Sequence, residues 1–599
     1  MSFKIPRHLN RFVQFYPAGS AKIPPQLAKL PQEPPDLRAF LLPLPAPKKA
    51  YTCFARGVGG VLWLGAPNGL VRYDPGAPGK EDRVWFFSAP QMLPHAEVTA
   101  ILPAEDTEDE SVWVQTGAGA AAKITLRALE AEEKADLLLD ETLRVVDRRG
   151  MVSQRGLQAP RRLDLLLPYN ESDNDGCFGC GFALGELFHY ATLRRALGAR
   201  HPKTLRAKAI AVRASEAMLL LMMIPGRGDG FVARTYLAPE EPIPDGWFFR
   251  KLGDGTAEVV DTPTAVAAGK AGLRVPAAVP VPARLARLHE NEGIAGVGLV
   301  FKGDTSSDEI TSHFAHLYYL HEILGPEDPE LDALAVQAIK ATMAHILDHG
   351  FELWDAFGAP TTWAKWSPRY FAFDAPGWVD APLNAAELLM YLRVTMAVTG
   401  EGGRWQAAYD DLLARGYAEL TTKHAERLEQ YTLHEGIAPA AEIMYGDHWL
   451  ATTAFWLLIQ LEPDAARRTQ FRAGYKSWRG SIGREHTPGY DFPYHLACPG
   501  EPIDWQRMEL WFRRFAPSRL AAGLCVVGRH DVPRRPCSGA ETPETGCLLP
   551  PDERCIAKLD RNPLALVDEN DPNGEYLVES CYVYTFAYWL GRWHGLIEE

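Results

Sequence analysis

The chain lacks any run of apolar residues long enough to cross a bilayer. Its longest, Ala217–Ile224, falls far short of the ~20 residues a spanning helix needs. Met1–Pro25 is broken by charge and proline and has no apolar core of a secretory leader, so a soluble, cytoplasmic protein is expected. Clustered positive charge is also missing. With 62 Lys and Arg against 76 Asp and Glu, the net charge is −14, which excludes nucleic acid as a partner. The nine cysteines are odd in number and scattered, which argues against a disulfide framework. Cys177-Phe-Gly-Cys180 has metal-like spacing, but no second pair lies at finger distance, so these read as small helix-packing thiols. What is present is bulk: 599 residues, 47% hydrophobic, enough for a large core and more than one domain.

Residues 1–50 are proline-rich and aperiodic, which predicts an extended N-terminal arm. Residues 51–150 read as a small β-rich module. Val61–Tyr73 predicts two short strands around an Asn68-Gly69 turn, and Val112–Ile124 repeats the pattern, with Trp113 over Trp63 and Gly119 over Gly69. From 151 to 599 the periodicity is helical. Cys177–Leu197, Lys203–Ile224, Asp308–Leu324, Leu331–His349, Asn384–Thr399, Arg404–Thr422, His448–Gln460, Ala465–Trp478, Met508–Leu524 and Val578–Leu596 carry apolar positions near 3.6 spacing. Links within pairs are short, which predicts antiparallel hairpins; links between pairs are long, and Pro225–Asp304 should hold a few strands.

Polar motifs recur just before the first helix of each pair: Asn170–Gly176, Lys302–Phe314, Trp378–Asn384 and Met444–His448. A fifth, Arg561-Asn-Pro563, precedes the last helix. The richest, Lys302–Phe314, offers Ser306 or Ser307 as an N-cap, puts Asp308 and Glu309 in the first turn, and sets His313 four residues beyond Glu309. Capping needs one such residue, so the surplus predicts a helix start that faces a pocket. If first helices form an inner ring and their partners an outer one, all five motifs meet at one mouth. The expected fold is therefore mainly α, an (α/α)6 toroid, complete or incomplete, with a small β-rich N-terminal module.

Ser172–Gly176, Ala233–Tyr236, Lys302–Glu309 with His313, Leu347–Gly350, Lys365–Pro368, Leu383–Glu387, Arg561–Pro563 and Tyr588–Leu596 occur in an order that resembles the L-rhamnose-α-1,4-D-glucuronate lyases. The Trp63 repeat resembles the propeller repeats of two-component regulators. The resemblance covers about residues 150–599. It implies an (α/α)6 catalytic domain, a tyrosine base and a uronate-containing oligosaccharide or polysaccharide as substrate.

Elimination at a 4-linked uronate needs a base for the C5 proton, an acid for the leaving oxygen and a cation on the carboxylate, and no metal or other cofactor. Arg234 is the first candidate to grip the carboxylate, and Arg561 with Asn562 the second. Tyr236 or His313 is the candidate base. Tyr236 would need cationic neighbours to ionise, whereas His313 would not. Asn174, Asp175, Lys302, Asp304, Ser307, Asp308, Glu309, Asn384 and His448 are candidate sugar ligands, with Trp366 a stacking platform or a core residue. Two alternatives stay open. One is an inverting glycoside hydrolase drawing paired carboxylates from Asp175, Asp308, Glu309 and Asp447. The other is a carbohydrate-binding or sensor protein. A metal set of Glu309, His313, Asp447 and His448 lacks a regular motif and ranks below these.

Overall fold

The computed structural model describes residues 2–27, 36–40, 44–104, 109–168, 174–435, 446–521, 529–531, 534–536, 544–546, 549–554 and 574–598. Twelve helices build the main body: α1 (Ala131–Val145), α2 (Asp175–Leu197), α3 (Pro202–Met223), α4 (Ser307–Ile323), α5 (Pro329–Asp348), α6 (Ala375–Thr399), α7 (Arg404–Ala414), α8 (Gly446–Leu461), α9 (Ala465–Ile482), α10 (Pro488–Ala497), α11 (Trp505–Arg514) and α12 (Tyr582–Trp593). Helix α2 packs on α4, α4 on α6, α6 on α8, α8 on α10, α10 on α12, and α12 returns to α2. That is a closed inner ring of six.

Sequence separates the two rings. Inner helices are apolar all round: α2 is buried at every position from Asp175 to Leu193. Outer helices carry a single stripe; α7 buries only Trp405, Tyr409 and Leu412. Helix α5 has both end signals. Asp328 accepts from the amide of Leu331 at 3.1 Å with Pro329 at the first helical position, and Gly350 follows at φ 69°. Helices α3, α5, α7 and α9 each pack outside the inner helix they follow, while the outer partner of α12 is α1, from the other end of the sequence. The result is an (α/α)6 barrel.

The inner helices run parallel, because contacts advance together along them. Gly181 of α2 faces Tyr582 of α12 and Gly185 faces Phe586; Ser312 of α4 meets Trp449 of α8 and Tyr319 meets Gln460. Phe188, Tyr319 and Trp456 fill the centre, with ring centroids 4.9 and 5.3 Å apart, and Trp449 meets Phe586 edge-on at 5.1 Å. Each such pair adds ~0.5–1.5 kcal/mol beyond burial.

The N-terminal region forms two antiparallel four-stranded sheets. One runs β2 (Cys53–Arg56), β3 (Leu62–Ala66), β4 (Gly69–Tyr73), β5 (Val84–Phe87). The other has the order β1-β8-β7-β6, from β1 (His8–Tyr16), β6 (Val98–Ala104), β7 (Glu110–Thr116) and β8 (Ala121–Leu129). The repeat is real at this level, since Trp63 and Trp113 occupy β3 and β7. The tight turn is Pro67-Asn68, and Gly69 pairs with Ala66. Gly69 sits at φ 149° where a Cβ would strike Phe86 and the carbonyl of Phe87.

Several expectations change. Residues 1–50 are not simply an arm, because His8–Tyr16 pairs with Leu129–Ala121 over nine residues, and Phe3 bonds to Leu596 and Glu598 beside the C-terminus. Residues 131–145, expected within the β-rich module, are a barrel helix. Helix α10 was not anticipated: it is ten residues long and carries Pro488 and Pro493, which mask its period. Helix α11 ends at Arg514, ahead of Pro517, not at Leu524. The α3–α4 link does hold strands, in a five-stranded sheet that includes Tyr236–Leu237, Phe248–Lys251 and Val300–Lys302.

Candidate active site

The starts of α2 and α4 meet because Gly176 lets them. A Cβ there would collide with the Glu309 carboxylate and the His313 ring. The antiparallel pairing of Tyr236 with Phe301 then brings Arg234 alongside, its amide on the carbonyl of Lys302 at 3.2 Å and its own carbonyl on the amide of Gly176 at 3.3 Å. The Arg234 guanidinium bonds to the side-chain oxygen of Asn174 and lies 3.8 Å from Asp308 and 3.9 Å from Glu309. Asn174, Arg234, Asp308 and Glu309, on three separate sequence segments, therefore come together as a unit.

The other candidates disperse. Asp175 is buried against Arg148 at 2.9 Å and the hydroxyl of Thr235 at 2.6 Å, which makes it a structural ion pair. Tyr236 is fully buried, with the guanidinium of Arg149 5.1 Å from its ring. The cations beside it are Arg149 and Arg148, and burial outweighs them, pushing the phenol up. An ionisable tyrosine base is thus not what this environment favours. His313 is buried as well. Its Nδ1 faces the carbonyl of Glu309 at 2.7 Å and its Nε2 the carbonyl of Met218 at 3.2 Å. Burial pushes this imidazole down, and both nitrogens face backbone within the α2–α3–α4 packing, so it is not placed as a base.

Trp366 is completely buried and donates from Nε1 to Glu387 at 2.8 Å; it is a core residue, not a stacking platform. Asn384 donates to the carbonyl of Lys365 at 2.8 Å, and His448 Nδ1 accepts from Trp478 at 3.0 Å; both are buried. Lys302 is buried in its strand with Nζ 5.7 Å from the Phe248 ring. Asp304 reaches Thr362 at 3.4 Å, and Ser307 is half-buried as the first residue of α4, with Ser306 the cap residue. Arg561 and Asn562 lie outside the described residues, as do residues 170–173 of the first motif. Glu309 and His313 stand on α4 and Asp447 and His448 on α8, and no group of three or more metal-ligating side chains gathers among the described residues. Cys177 packs α2 on α4, its sulfur 3.2 Å from the hydroxyl of Ser312.

What converges instead is carboxylate. Asp308 on α4, Asp380 and Glu387 on α6 and Asp447 on α8 come from three adjoining inner helices. Glu387 accepts from Thr311 of α4 and from Trp366, both at 2.8 Å, fixing the α4–α6 level at which it sits. Asp380 lies two turns nearer the helix start and accepts from the hydroxyl of Tyr370 at 3.0 Å. Burial pushes Glu387 up to about 7 and Asp380 up to about 6. Asp447 is held well above the usual carboxylate range, first by burial and then by the charges of Asp380, Glu387 and Asp308. It keeps some solvent contact, as does Asp308, whereas Glu387 has none. Burial and mutual repulsion therefore favour the protonated forms of these carboxyls, and of the three only Asp380 and Asp447 reach solvent.

Asp380 and Glu387 lie inside the motifs Trp378–Asn384 and Leu383–Glu387, but nothing in the sequence marks either as a site residue. Their signal is the contact with Tyr370, Trp366 and Thr311, which only the fold creates.

No family model matches the chain, and no curated protein matches it. Among solved structures it is similar to the glycoside hydrolase family 9 endoglucanase J30, at 10% identity over 85% of this chain and 90% of that one, with a TM-score of 0.36. It is also similar to a Bacteroides ovatus GH9 protein (8%, 90% and 97%, TM-score 0.27). A thermostable endoglucanase from Alicyclobacillus acidocaldarius gives 12% identity, 89% and 97% coverage and a TM-score of 0.29. Likeness this loose carries no statement about chemistry.

Proposed function

We propose that the chain is a carbohydrate-active enzyme that hydrolyses a glycosidic bond with carboxylates at the barrel mouth. The observation that carries this reading is the gathering of Asp308, Asp380, Glu387 and Asp447 from three inner helices, two of them pushed up to about 6 and about 7 and Asp447 higher than normal. Asp447, held above the usual carboxylate range by burial and by its acidic neighbours and in contact with solvent, is the general acid: its proton goes to the glycosidic oxygen as the bond to the anomeric carbon breaks. Asp308, whose carboxylate Arg234 faces at 3.8 Å, is the general base. It takes a proton from the water whose oxygen joins the anomeric carbon, with inversion. Glu387 is buried without solvent contact, and as it ionises its charge favours the proton on Asp447.

Elimination is the second reading, and Arg234 favours it, because a guanidinium at the mouth suits a uronate carboxylate. Against it stands the placement of Tyr236 and His313. A panel of neutral and uronate-containing glycans separates the two. Hydrolysis releases reducing ends without ultraviolet absorbance from an unsaturated uronate, and Asp447→Asn lowers the rate by about 10²–10⁴. Absorbance that grows, and is lost in Arg234→Ala, establishes the lyase.

A further inference from the structure

A second cavity, of about 770 Å³, lies away from the acid cluster, between the sheet edge formed by β1 and β8 and the helices α1 and α11. That volume is in the range of small-molecule sites. Its walls explain why it is not filled. Pairing of β1 with β8 sets Asn10 opposite Arg127, Phe12 opposite Thr125 and Gln14 opposite Lys123. Cross-strand partners share a sheet face, so this face presents amides, a hydroxyl and cations to the barrel alongside the single Phe12 ring, where a packed interface would bury mostly apolar side chains. Facing it, α1 contributes Arg144 from its last turn.

The charge is out of keeping with the molecule. The lining holds seven Arg and Lys against four Asp and Glu, in a chain whose net charge is −14. Part of that charge is already spent: Arg11 and Arg514 both pair with Asp552. Arg127 and Arg144 are exposed, and no ion pair or hydrogen bond holds either among the described residues; Arg127 instead lies 4.6 Å from the Phe12 ring centroid. Arg127, over the Phe12 ring, and Arg144, near Glu141, set two exposed guanidiniums above a floor of amide and hydroxyl groups, which matches a hydroxylated anion. The cavity lies at the mouth end of the barrel, because the outer helices α1 and α11 end there, antiparallel to the inner ring.

We infer that this cleft binds an anionic sugar, a hydroxyl-rich ring bearing a carboxylate or phosphate group, at a site separate from the carboxylate cluster. The inference is independent of the chemistry at the mouth. Calorimetric titration of the full chain with glucuronic acid, glucose 6-phosphate and glucose tests it. At least one of the two acidic sugars binds and glucose does not; which one binds identifies the anion as carboxylate or phosphate. The double variant Arg127→Glu/Arg144→Glu, changed at two exposed positions and checked for an unaltered Tm, weakens that binding about tenfold or more, and added salt weakens it too. Asp447→Asn leaves it intact. Failure of both acidic sugars to bind, equal binding of glucose, unchanged affinity in the double variant, or loss of binding in Asp447→Asn would each overturn the assignment.

Discussion

Asp552 joins the two halves of the molecule, and removing it should loosen one from the other. Its carboxylate meets Arg11 of β1 at 2.8 Å and Arg514 of α11 at 2.9 Å, with all three side chains no more than 5% exposed. Trp85 of the first sheet lies 4.7 Å from each of these guanidiniums. Glu553 shares the load at 3.8 and 3.4 Å but is itself bonded to Arg529 at 3.0 Å. Burial already pulls Arg11 down to about 10, and Asp552 is the largest force opposing that pull. Asp552→Ala leaves Arg11 and Arg514 with only the Glu553 carboxylate, which Arg529, itself paired with Asp531, already engages. Breaking a buried pair from one side costs about 3–5 kcal/mol, a large part of the stability of any domain. Because a chain of this size need not unfold in one step, hydrogen exchange is the appropriate assay. Strands β2–β5 should lose protection selectively, while α2 and α4 keep theirs. A loss below ~1 kcal/mol in β2–β5, or an equal loss throughout the barrel, would refute the view that this knot docks the sheets.

Two further perturbations probe the mouth. The folded Glu387 carboxyl, at about 7, lies above its ordinary value of 4.5, so its contribution to stability is full below pH ~4.5 and is lost as pH rises through ~7, a swing of roughly 3 kcal/mol. Glu387→Gln should therefore gain in Tm over the parent at pH ~8.5 relative to pH ~5; the same Tm difference at both would remove Glu387 from the buried, protonated role. Gly176→Ala drives a methyl into the Glu309 carboxylate and His313. It should cost about 1–3 kcal/mol, less the ~1 kcal/mol that alanine gains in a helix, and should reduce activity by displacing Asn174 from Arg234. Unchanged kcat/KM would show that the α2–α4 approach is not needed for the site.

The barrel was legible because inner and outer helices differ in composition. A helix apolar on every side, such as α2 or α8, has to be surrounded, and short links fix its partner beside it. The meeting of Asn174 with Asp308 and Glu309 was legible for the same reason, since motifs placed before inner helices share one end of the ring; Arg234, from the long α3–α4 link, was suggested only by its place in the Ala233–Tyr236 motif. What sequence did not reveal is direction. Tyr236 is one residue from Thr235 and two from Arg234, yet it packs beneath Arg149. His313 shares a helix with Asp308 but is turned into the α2–α3–α4 packing. Trp366 and Glu387, 21 residues apart, form a hydrogen bond that no local pattern announces. Helix α1 closes the ring from the far end of the chain, where periodicity alone cannot say what it covers.

The central claim is that carboxylates at the mouth add water across a glycosidic bond. The direct measurement is mass spectrometry of the products formed in ¹⁸O-enriched water by the wild-type chain and by Asp447→Asn. Hydrolysis predicts one heavy oxygen in each newly formed reducing end, with turnover suppressed in the variant. A product without heavy oxygen that has lost the elements of water, formed equally by Asp447→Asn, would contradict the account.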